Sequence, residues 1–251
     1  MARSVRRSKR ATGVGCTVVA AGIAVAGCAT TQQEAVRLRL NSARIRVSQH
    51  PTKVAVAGHA LRVTHVALVS GRSGSAIVVR LRNPGARTVS DLPISVGLRK
   101  GAARQRPLNV KSPEELSYFD AHVPVIAPRA TVTWVFTTTH HIPSGARPYA
   151  IVGARPSVRA PRVSTAPVID AIAAGKATTT RVAVTLQNRS SIPQYQLQLY
   201  AVARHGRRYV AAGALTVPHL GGDGKHTVQL PLLGHPGQGR LRFEALPAMV
   251  N

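Results

Sequence analysis

The chain has 251 residues, room for one or two domains of ordinary size. Its 34 Lys and Arg stand against 8 Asp and Glu, a formal net charge of +26 that favours anionic partners. Eight carboxylates leave little material for paired-carboxylate glycosidase sites, calcium cages or carboxylate-rich metal centres. Two cysteines exclude a disulfide framework and a structural Cys-zinc site. Hydrophobic residues make up 44% and charged residues 17%, so apolar surface is available to offset chain entropy and the chain is expected to fold.

Arg3, Arg6, Arg7, Lys9 and Arg10 form a basic leader, followed by an uncharged run from Ala11 to Gly27 rich in Val, Ala and Gly. The run is short for a bilayer span and ends in small residues, which predicts a signal peptide over residues 1–27. Val25-Ala26-Gly27-Cys28 resembles the bacterial lipobox. The resemblance implies that the Cys28 thiol becomes a diacylglyceryl thioether, that cleavage falls before it, and that the mature chain is held on the outer face of a bacterial cell membrane. Two acyl chains give stable attachment where one gives marginal binding. The rival expectation is an ordinary signal peptide cut elsewhere, with Cys28 an idle thiol. Arg outnumbers Lys 28 to 6 and Ala, Val and Gly abound, a composition similar to that of GC-rich, including actinobacterial, genomes.

Residues 28–51 follow as a basic tether. Val36-Arg37-Leu38-Arg39-Leu40 and Arg44-Ile45-Arg46-Val47 alternate apolar residues with Arg. Paired as a hairpin, they would put Arg37, Arg39, Arg44 and Arg46 on one face. Beside a lipid anchor, each contributes about 1 kcal/mol toward an anionic membrane. The plainer expectation is a solvated strand face.

A shift of 105 residues lays Ile77 to Gly101 on Val182 to Gly206 without a gap. It matches Leu81 with Leu186, Asn83 with Asn188, Leu92 with Leu197, Ile94 with Leu199, Arg99 with Arg204, and Gly101 with Gly206. Within each copy the apolar period is two. Ile77, Val79 and Leu81 share one face and Val78, Arg80 and Arg82 the other, while Val182, Val184 and Leu186 alternate with Ala183, Thr185 and Gln187. Further strands are expected at Val123 to Ile126, Thr131 to Phe136, Pro148 to Val152, Leu215 to Val217, His226 to Leu232 and Arg240 to Ala245. Turn residues recur every ten or so positions, and no amphipathic helix is predicted after Cys28.

This pattern predicts an all-β chain of two tandem immunoglobulin-like sandwiches, over residues 52–154 and 165–251, joined by a Pro-containing linker at 155–164. Val79-Arg80-Leu81-Arg82-Asn83-Pro84 and Val184-Thr185-Leu186-Gln187-Asn188-Arg189 resemble the Asn-ended strands of immunoglobulin-like modules of bacterial envelope proteins, FxLYD-type domains among them. That resemblance implies non-catalytic sandwiches. The second copy departs from the pattern at Arg204-His205-Gly206, where an acidic residue and Gly usually follow the aromatic strand.

Catalytic motifs fail on inspection. Gly71-Arg72-Ser73-Gly74-Ser75 lacks the Gly that a nucleophile elbow needs and is expected to be a hairpin turn. Gly221-Gly222-Asp223-Gly224-Lys225 is followed by His226 where a phosphate loop needs Ser or Thr. His140 and His141 are adjacent, so in a strand they would point to opposite faces and not chelate one metal. Glu114 and Glu115 are expected in a solvated loop. Trp134 and Phe136 are expected in the first core, with Tyr118 and Phe119 packed against it or exposed as a binding platform. No cofactor or metal site is predicted.

The leading expectation is a non-enzymatic, membrane-anchored envelope lipoprotein that serves as scaffold, spacer or assembly partner, its basic surface turned toward anionic lipids or wall polymers. The alternative is a binding module presenting a pocket or strand edge to a peptide, glycan or partner protein. Nucleic acid is not an expected partner, because the export signal removes the chain from it and no aromatic-basic platform appears.

Overall fold

The structure, a computed structural model, describes residues 54–109, 118–154 and 168–247. It is an all-β sandwich-type fold of antiparallel sheets. The strands before residue 154 are β1 (Arg62–Gly71), β2 (Gly74–Arg82), β3 (Leu92–Lys100), β4 (Ala103–Arg104), β5 (His122–Val123), β6 (Thr131–Thr138) and β7 (Arg147–Val152). Those after residue 168 are β8 (Ile169–Ala173), β9 (Arg181–Asn188), β10 (Gln194–His205), β11 (Arg208–Leu220), β12 (Lys225–Pro231), β13 (Leu233–Gly234) and β14 (Arg240–Leu246). A single helical turn, α1 (Tyr118–Ala121), precedes β5.

The two halves repeat one topology. In the first, β1-β2-β6 form one sheet and β3 pairs with β4, β5 and β7 in the other. In the second, β12-β9-β8 face β13-β11-β10-β14. The 105-residue register survives at the level of single hydrogen bonds. Asn83 and Asn188 are both buried at strand ends. Asn83 donates through Nδ2 to the carbonyls of Arg87 (2.8 Å) and Ala127 (3.0 Å), and its Oδ1 accepts from the Gly85 N–H (2.9 Å). Asn188 donates to Ile192 (2.8 Å) and Gly221 (3.0 Å) and accepts from the Ser190 N–H (3.0 Å). Each Asn side chain thus satisfies its own turn and the turn across the sandwich, as buried backbone groups require. Those opposing turns also match, with Arg129 and Asp223 both in the left-handed region (φ 59° and 51°).

Several expected elements differ in extent. Val123 to Ile126 is not one strand. It is the short β5 followed by an isolated bridge between Val89 and Ile126. The expected Leu215 to Val217 strand is the middle of the thirteen-residue β11. His140 and His141 lie in the bend after β6, where Nδ1 of His140 meets Thr138 Oγ1 and Nδ1 of His141 meets the Gly71 carbonyl. Trp134 and Phe136 stack in the first core with centroids 6.4 Å apart, and the Trp134 Nε1–H donates to the Phe119 carbonyl at 3.2 Å. Tyr118 and Phe119 are buried.

The alternation in β2 predicts an open outer face, yet Ala76 and Val78 are fully buried. The cover comes from the second half. In β10, Leu197, Leu199 and Ala201 point into the second core, while Tyr200 and Val202 belong to the first. With Ala212 they join Val69, Val78 and Val135 in one apolar cluster. The Val125 N–H donates to the Pro247 carbonyl at 3.1 Å, and the Thr133 N–H to Glu244 Oε2 at 2.6 Å. A linker between independent modules would leave few contacts across it. Here apolar packing crosses it. Cutting within residues 155–167, which lie outside the described residues, should therefore leave the two halves associated in gel filtration. Val78→Asp should let them separate, because it places a charge where no partner waits. Elution of the cut wild-type chain as two half-mass species would contradict the shared core.

Candidate functional site

The sheet of β4, β3 and β7 has an inner face built from Leu92, Ile94 and Val96, and an outer face built from the residues between them. On that outer face Arg99 is the register partner of both Arg104 and Arg147. Paired positions across antiparallel strands project to the same side, so three exposed guanidinium side chains form a row across three strands. Residues 92–109 and 121–154 contain no carboxylate, whereas Lys100 and Arg106 flank the same hairpin. Like charges directly opposite one another destabilise a sheet.

Tyr149 offsets part of that repulsion. The guanidinium carbons of Arg99 and Arg104 each lie 5.9 Å from its ring centroid, within cation–π range. The hydroxyl donates to the Gln105 carbonyl at 2.8 Å. Burial raises the Tyr149 pKa above its usual value, while the fields of Arg104 and Arg99 pull it down. Gly97 faces the ring, and a Cβ there would sit 2.8 Å from it, so only glycine leaves the ring this close. Val54 packs with Tyr149 and Ile151, and its N–H donates to Ser95 Oγ at 3.0 Å. Val54, the first described residue, therefore lies on this same outer face.

The junction of the two halves holds a second polar group of residues. Burial raises the pKa of Glu244, opposed by the Thr133 hydrogen bonds and by Arg80 and Arg242. The Tyr200 hydroxyl is fully enclosed without a hydrogen-bond partner. Burial pushes its pKa well up, and the nearby Asp120 and Glu244 charges add to the effect. The buried His122 ring stacks on Tyr118 with centroids 4.3 Å apart, its Nδ1 is 3.2 Å from the Tyr118 carbonyl, and burial lowers its pKa to about 4. It is a neutral packing residue at pH 7.

The residues singled out in the sequence, Cys28 with Val25, Ala26 and Gly27, and Arg37, Arg39, Arg44 and Arg46, lie outside the described residues, as do Glu114 and Glu115. The row at Arg99, Arg104 and Arg147 was not among them. Its local trace is Arg99-Lys100-Gly101-Ala102-Ala103-Arg104, two Arg flanking a Gly that adopts φ 61° at a tight turn. Arg147 enters only through the pairing of β3 with β7. Among the described residues no three His, Cys, Asp or Glu side chains gather as a metal site. Among the same residues no helix is long and apolar enough to cross a membrane.

No protein-family model and no curated protein matches the chain. Among solved structures it is similar to red sea bream transglutaminase, with 12% identity and a TM-score of 0.21, over 80% of this chain and 31% of that one. The chain thus spans about a third of that protein's length. A likeness this slight carries no argument about activity.

Proposed function

We propose that the protein is a non-enzymatic, membrane-anchored envelope lipoprotein whose two immunoglobulin-like sandwiches act as a stiff spacer, scaffold or assembly partner, with its basic surface toward anionic lipids or wall polymers. The carrying observation is the apolar cluster shared by β2, β6, β10 and β11, because a body that bears load or sets a distance needs its units locked together. The lipobox-like Val25-Ala26-Gly27-Cys28 supports attachment of that body through a diacylglyceryl group on Cys28. The test is mass spectrometry of the mature protein from membranes. An N-terminal Cys28 carrying the diacylglyceryl group is expected, and Cys28→Ser should release the protein from the membrane fraction. An unmodified N-terminus elsewhere, or unchanged partitioning of that variant, would overturn the anchored reading.

A binding-module reading draws on β8, an edge strand in which Ile172 is 64% exposed, with Val168 just before it 62% exposed. Such an edge offers free backbone groups for strand addition by a peptide. If this reading holds, Ile172→Lys should abolish capture of an envelope partner while leaving the fold unchanged.

A further inference from the structure

We infer that the Arg104, Arg99 and Arg147 row is a docking site for the phosphates of an anionic lipid surface, holding the first sandwich against the bilayer beneath its own anchor. The inference rests on the anchored reading above and adds to it a defined site and an orientation. Neighbouring strands lie about 4.8 Å apart, so the outer two Arg backbones stand about 10 Å from each other. The Tyr149 ring, fixed by its hydrogen bond and by the space at Gly97, seats two of the guanidiniums in advance of any ligand. Seating in advance lowers the entropy lost on binding, and the guanidinium fork matches phosphate oxygens. Lys100 and Arg106 extend the positive field around the hairpin tip.

The occupant follows from where the chain enters. Val54, the first described residue, lies on the same outer face, packed on Tyr149 and Ile151, so the segment that links it to Cys28 in the sequence is joined to the body on the face that carries the row. A lipid surface reached by that segment is the polyanion held at highest local concentration. Surface attraction of this kind is confined to about a Debye length.

The test uses the full-length lipidated protein reconstituted in vesicles of phosphatidylglycerol with phosphatidylcholine, or of phosphatidylcholine alone. A fluorophore on Ala102→Cys reports proximity to quencher-labelled headgroups. Quenching is expected with phosphatidylglycerol at low salt, and should be lost in phosphatidylcholine vesicles or in 0.5 M salt. In the triple variant Arg99→Ser, Arg104→Ser, Arg147→Ser the ratio of docked to free protein should fall on the order of a hundredfold, about a factor of five per guanidinium. The triple Arg→Lys variant, which keeps the charge but loses the planar fork, should dock more weakly than the wild type and more strongly than the Ser variant, and Trp134 fluorescence checks that both variants fold. Quenching indifferent to phosphatidylglycerol or to the triple Ser variant would overturn the inference. So would an Arg row protected by soluble polyphosphate and unresponsive to lipid, which would assign the row to a non-lipid polyanion. Vesicle flotation separates the two claims: protein that does not float contradicts anchoring, and floating protein with an unresponsive label contradicts the Arg row alone.

Discussion

Asn83→Ala should lower the unfolding free energy by about 3 kcal/mol, and Asn188→Ala by a similar amount, since each leaves several buried backbone groups without partners at roughly 1 kcal/mol or more apiece. Asn83 donates to Arg87, Ala127 and, at 3.3 Å, Ile126, and accepts from the Gly85 N–H. Asn188 holds Ile192 and Gly221 and accepts from the Ser190 N–H and, at 2.8 Å, from the Ser190 hydroxyl. Asn→Asp should be at least as costly at both positions, because a carboxylate would face carbonyl oxygens that need donors. Urea unfolding reads both effects. Because apolar packing joins the halves, each variant should shift one common transition instead of melting half the chain. A cost below about 1 kcal/mol at either Asn would refute its role as the pin between opposing turns.

Acidification from pH 7 to pH 4 should remove about 3 kcal/mol of stability through His122 alone, because burial lowers its pKa from 6.5 to about 4 and a tenfold change in proton affinity corresponds to about 1.4 kcal/mol. The unfolded chain takes up the proton first, so stability is complete above pH 6.5 and is lost as pH falls through that interval toward 4. Glu244 acts in the opposite sense. Burial raises its pKa, so the folded state holds that proton more tightly and stability from this group declines as pH rises through its folded value. His122→Gln should therefore flatten the loss between pH 6.5 and pH 4 and expose the opposite slope of Glu244. Adding Glu244→Gln should remove that residual slope, with the Gln carbonyl still able to accept from the Thr133 N–H. An unchanged acid slope in His122→Gln would show that other groups govern acid unfolding.

The strands most legible in the sequence are those with one face on a core and the other in water. In β9, Val182, Val184 and Leu186 are buried and Ala183, Thr185 and Gln187 are partly exposed, the alternation that pleating imposes on a half-buried strand. The turns were readable for a similar local reason. Gly101 and Gly206 adopt φ 61° and 58°, a region that glycine enters without steric cost. β2 was less legible. Val78 follows the period of the outer face, and only its apolar side chain, beside Arg80 and Arg82, hints that something covers that end of the strand.

The Arg row was hidden for another reason. A charge run along the chain is visible in sequence, whereas a charge row across a sheet is assembled from β4, β3 and β7, with Arg99 and Arg147 separated by 48 positions. Composition, the period-two pattern and the 105-residue repeat were enough to determine an all-β chain of two matching halves, because hydrophobic alternation and turn chemistry are local constraints that each segment satisfies on its own. How the halves join was decided only in three dimensions. Tyr200 and Val202 lie on the opposite face of β10 from Leu199 and Ala201, and sequence alternation cannot say whether such a second apolar face meets water or another sheet. The same is true of which arginines become neighbours, since register across strands follows from the packing of the whole sandwich and not from any one segment.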